Sequence, residues 1–107
     1  MPAADTSPSV LPEPAFALPD GVAAYKRTPD FNQTTVPAGL LRRHSTREGV
    51  WGIIRVLSGE LLYWVEDERR ARRTYRITPD VPGIVEPTIL HRVQPQGPVH
   101  FHVEFFR

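Results

Sequence analysis

Twelve prolines are spread through 107 residues, and five of them, Pro79, Pro82, Pro87, Pro95 and Pro98, punctuate the last third of the chain. Each fixes φ and removes a backbone donor, so a long helix cannot run there and none of these prolines fits the middle of a central strand. No window shows apolar residues recurring at helical spacing. From Gly39 onward, short β-favouring runs instead alternate with turn residues about every ten positions, the pattern of a sandwich or barrel. The pattern predicts strands over Leu40 to His44, Val50 to Leu57, Glu60 to Val65, Thr74 to Ile77, Pro82 to Glu86, Leu90 to Val93 and Val99 to Phe106. Tyr25, Lys26 and Arg27 form a candidate first strand. Between WGIIRVL and ELLYWV, Ser58 and Gly59 read as a two-residue hairpin turn in which glycine supplies positive φ. The expected fold is all-β.

Residues Met1 to Leu18 carry Pro2, Pro8, Pro12 and Pro14 among alanines and small polar residues, a composition that reads as a disordered tail. Residues 19–107 then form one domain, with no repeat and no second unit. The formal net charge of +1 gives no overall pull toward nucleic acid. The chain has no cysteine, so disulfides, thiolate metal sites and cysteine nucleophiles are excluded, and any metal must sit on nitrogen and oxygen. The N-terminal segment lacks the charged and apolar regions of a signal peptide, and no apolar run is long enough to span a bilayer. A cytoplasmic protein without membrane or nucleic-acid partners is expected.

Period-two alternation places His100, His102 and Glu104 on one face of the last strand and Phe101, Val103 and Phe105 on the other. Two imidazoles and a carboxylate in a row suit a divalent metal, and they equally suit the wet face of an edge strand. If strands converge at one mouth, His44 and His91 join Glu104 there. The run EDERRARRTYR, from Glu66 to Arg76, pairs arginines with acidic neighbours and reads as a solvated hairpin end rather than a phosphate-binding surface. Trp51, Tyr63 and Trp64 read as core. Glycine-rich phosphate loops, nucleophile elbows and helical histidine pairs are all absent.

The segments LPDGVAAYKRTPDF, TVPAGLLRRHSTREGVWGIIRVLSGELLYWV and PGIVEPTILHRVQPQGPVHFHVEFFR together resemble the TehB/YeaR-like domain, a cupin-like domain associated with tellurite resistance. The resemblance covers nearly everything after Leu18. It implies a cupin-like jelly-roll β-barrel or sandwich, two copies of which pair as a homodimer. In some relatives the domain precedes a methyltransferase that uses S-adenosylmethionine; that second half is missing here, so methyl transfer is not expected.

Gly39, His44, Thr46 and Gly59 stand at positions resembling the first cupin motif, with Thr46 in place of a second histidine and Gly52 near the place of the glutamate. Gly83, Pro87 and His91 resemble the second. The resemblance implies a divalent metal, zinc, iron, manganese or nickel, held by His44 and His91, with Glu104 or Glu86 supplying the carboxylate and His102 in reserve. The expected function is metal-dependent binding or sensing of a small molecule or oxyanion. A small metal-dependent cupin enzyme and a metal-free structural or dimerisation module are the alternatives.

Overall fold

The computed structural model describes residues 10–11, as backbone only, and residues 18–107. The elements in chain order are β1 (Val10–Leu11), β2 (Ala24–Arg27), β3 (Phe31–Asn32), α1 (Ala38–Leu41), β4 (Trp51–Ser58), β5 (Leu61–Val65), β6 (Arg73–Ile77), β7 (Gly83–Val85), β8 (His91–Pro95) and β9 (His100–Phe106). The fold is mostly β, and the strands from β4 onward follow the alternating runs seen in the sequence. Among the described residues, no helix is long and apolar enough to cross a membrane.

The strands form two sheets that do not close into a barrel. One has the order β1-β6-β5-β8; the other has the order β2-β9-β4-β7, with β3 also pairing with β9. Their inner faces meet in one core. Ile54, Val56 and Phe101 come from the second sheet and Leu61, Tyr75 and Ile77 from the first, all less than 5 % exposed. Burying a large apolar side chain contributes about 1.5–3 kcal/mol, so this interlayer is what holds the sheets together.

Two sequence expectations change. The Ser58–Gly59 turn is not a hairpin: β4 pairs with β7 and β9, whereas β5 pairs with β6 and β8. The turn instead carries the chain from one sheet to the other. Turn chemistry reports that the chain reverses or bends there, not which strand each run pairs with, and β4 gains more by zipping along the seven-residue β9. The expected strand over Leu40 to His44 is one turn of helix, α1, after Pro37, followed by a single β-bridge from His44 to His91. The tail expectation falls mostly on residues outside those described; within it, Val10 and Leu11 run parallel to Thr74 and Tyr75 of β6.

Candidate functional site

The β-bridge joins the two histidines by backbone in both directions: His44 N–H donates to the His91 carbonyl and His91 N–H to the His44 carbonyl, each at 2.9 Å. Their rings are held in the same way. Nδ1 of His44 lies 2.8 Å from the carbonyl oxygen of Arg42, and Nδ1 of His91 lies 2.9 Å from that of Ile89. A carbonyl oxygen only accepts, so each Nδ1 carries a proton and donates, and in the neutral imidazole Nε2 then holds a lone pair. Neither Nε2 has a hydrogen-bond partner among the described residues. The ring centroids are 4.2 Å apart, and the Tyr63 ring stands edge-on to His91 at 5.6 Å. Burial, reinforced by the neighbouring His44, pushes His91 down to about 4, so it is neutral at physiological pH.

Both histidines line a cavity of about 430 Å³ that opens at one end of the space between the sheets. Its walls are apolar, supplied by Ile54, Val85, Val93, Phe101, Val103 and Phe105. Lys26, Arg47 and Arg107 also line it, with the hydroxyl-bearing Tyr25, Thr28, Ser45 and Thr46, and among the described residues no aspartate or glutamate does. The volume lies in the usual range for small-molecule pockets.

A side-chain clamp behind the cavity fixes the segment that carries His91. Buried Asp67 accepts from the backbone N–H of Leu90 at 2.9 Å and from that of Arg69 at 2.8 Å. Its hydrogen bonds from the Arg69 side chain and from these amides hold its carboxyl well below the usual carboxylate range. The Arg69 guanidinium also reaches the carbonyl of Thr88 at 2.6 Å. Thr88 has a φ of 65°, a strained conformation for a β-branched residue, and its N–H donates to the carbonyl of Thr46 on the cavity wall. In sequence Asp67 belongs to a solvated hairpin end, and nothing in the acidic run distinguishes the one carboxylate that caps buried amides. The loop arginines do find acidic partners: Arg70 binds Glu86, and Arg72 binds Glu66, which Arg92 of β8 also reaches.

The structure separates the five candidate ligands. Only His44 and His91 reach the cavity. The alternation that aims Phe101, Val103 and Phe105 inward sends His102 and Glu104 to the opposite face of the sheet. There Nε2 of His102 donates to Glu104 at 2.8 Å, and Arg55 reaches the same carboxylate at 3.2 Å, holding Glu104 below its usual range. Nδ1 of His102 is buried without a hydrogen-bond partner among the described residues, 3.7 Å from Asp30. Glu86 is bound to Arg70. Among the described residues, no group of three or more histidines and carboxylates is arranged to hold a metal. The three cations at the cavity were missed from the sequence, where nothing sets them apart: Arg47 directly precedes Glu48, and Arg107 follows Glu104 by three residues.

The model of the TehB-like domain family matches residues 26–103. Among solved structures, TehB from Haemophilus influenzae is similar, with a TM-score of 0.73 and 26% identity over 81% of this chain and 32% of its own. This chain therefore spans about a third of that protein. A protein from E. coli strain K12 shares the fold at a TM-score of 0.75 and 24% identity, over 86% of this chain and 96% of its own. Among curated proteins, none matches.

Proposed function

The chain belongs to the TehB-like domain family, and from that premise we propose that its cavity is a small-molecule site centred on His44 and His91, which bind a divalent metal through Nε2. The observation that carries this reading is the equivalence of the two rings, each with Nδ1–H committed to a backbone carbonyl. Metal-ligating histidines are typically fixed by such a bond on the other nitrogen. The neutral state of His91 also suits a ligand, since a proton does not compete for its lone pair near neutral pH. Two nitrogens fit part of a coordination sphere, and bound small-molecule oxygens or water would fill the rest. Zinc, iron, manganese or nickel would supply Lewis acidity toward such an oxygen.

The strand order supports a cupin-like reading of the fold. With the His44 bridge counted as a short strand beside β8, two four-stranded sheets interleave as β2-β9-β4-β7 and His44-β8-β5-β6, the order of a double Greek key. A part in tellurite or other stress resistance follows from the family. A metal-free reading is favoured by one observation, the absence of any aspartate or glutamate among the described residues of the cavity wall: the two lone pairs then accept directly from a ligand hydroxyl or N–H.

Elemental analysis of tag-free protein decides between them. The metal reading predicts near-stoichiometric metal in the wild type and in Glu104→Ala, lost in His44→Ala and His91→Ala. Folded wild type that takes up no added metal would leave the metal-free reading.

A further inference from the structure

Resting on that reading of the cavity, we infer that its ligand is an organic monoanion, a carboxylate carried on a short apolar body, rather than an inorganic oxyanion. Seven arginines, Arg27, Arg55, Arg69, Arg70, Arg72, Arg76 and Arg92, stand within ion-pair distance of a carboxylate. The three basic residues of the cavity stand outside these pairs, as do Arg42, Arg43 and Arg73, and the cavity is where three such cations gather. Lys26 and Arg47 have no carboxylate within that distance among the described residues, and the Arg107 guanidinium lies over the Tyr25 ring, 4.0 Å from its centroid. Positive charge around an opening that, among the described residues, holds no acidic side chain raises the local concentration of anions and stabilises one that docks.

The walls decide which anion. Ile54, Val85, Val93, Phe101, Val103 and Phe105 offer no hydrogen bond to a solute. A small hydrated oxyanion drawn between them would lose water contacts without replacement, which is unfavourable. An apolar chain there displaces water from both surfaces and is stabilised in proportion to the area it buries. The same ligand meets both demands only with its charge at Lys26 and Arg47 and its body against the valines and phenylalanines. A carboxylate oxygen that reaches the histidine pair would also meet the metal placed there.

Calorimetric titration of the full chain, with and without Zn²⁺, tests this with butyrate, hexanoate and octanoate, with hexanol as the uncharged analogue, and with tellurite and sulfate. Affinity is expected to rise about fourfold per added methylene until the cavity is filled. Hexanoate should bind at least tenfold more tightly than hexanol, and Lys26→Gln/Arg47→Gln should remove most of that preference. Both residues are exposed, so the double variant keeps the core intact. Zn²⁺ uptake that depends on His91, with no carboxylate binding or with tellurite bound more tightly than hexanoate, overturns the ligand class and leaves the metal reading standing. Carboxylate binding without Zn²⁺ uptake supports the ligand class and overturns the metal. Equal affinity for hexanol and hexanoate also overturns the class.

Discussion

His91 is the residue in which stability and binding are most closely linked. Its folded value of about 4 lies below the ordinary 6.5, so between those values the unfolded chain binds the proton that the folded chain refuses. Stability therefore falls as pH drops through 6.5 and stops falling on this account below about pH 4. From pH 7 to pH 5 the loss from this one group is about 2 kcal/mol. Urea denaturation at the two pH values should show that decrement in the wild type, and His91→Gln, though less stable at pH 7, should show much less of it. An equal pH dependence in both proteins would mean that His91 is not held neutral by burial. The sequence showed this histidine and its likeness to a motif position, but not its tautomer, which is set by the carbonyl of Ile89 two residues earlier.

At the scale of elements, the crossing between sheets matters more than any single strand. Gly59 has a φ of +80°, and a Cβ there would come within 2.2 Å of the Pro98 carbonyl oxygen, because the β4–β5 crossing passes directly against the segment leading from β8 into β9. Gly97 has a φ of +81° with open space around it. Gly97→Ala should then cost only the backbone term, about 1 kcal/mol, whereas Gly59→Ala should cost more than about 2 kcal/mol because backbone must also move. Equal losses in thermal denaturation would show that the two crossings do not touch.

The strands themselves were legible: the runs around Ile54, Tyr63 and Phe101 carry the alternation that burial on one face imposes. Partner choice was not, since the residues of β4 and β5 fit a hairpin as well as a corner, and only the distant β9 resolves the two. The same limit explains the site. Alternation placed Glu104 and His102 on one face correctly, but which face looks into the cavity depends on the second sheet, and no local pattern reports that.

In the whole molecule, two sheets leave a cavity at one end, and the chain arranges its chemistry around it: two lone pairs on the wall, apolar residues along the sheets and unpaired cations. This unit spans only 32% of TehB from Haemophilus influenzae, and that protein's full activity is not assigned to it. The histidine pair is the centre of that account, and long-range ¹H–¹⁵N correlation of the imidazole rings, recorded before and after adding Zn²⁺, tests it most directly. His44 and His91 should both carry their proton on Nδ1, and their Nε2 resonances should shift with Zn²⁺ while those of His100 and His102 do not. Protons on Nε2 in the pair, or a Zn²⁺ response confined to His100 and His102, would contradict it.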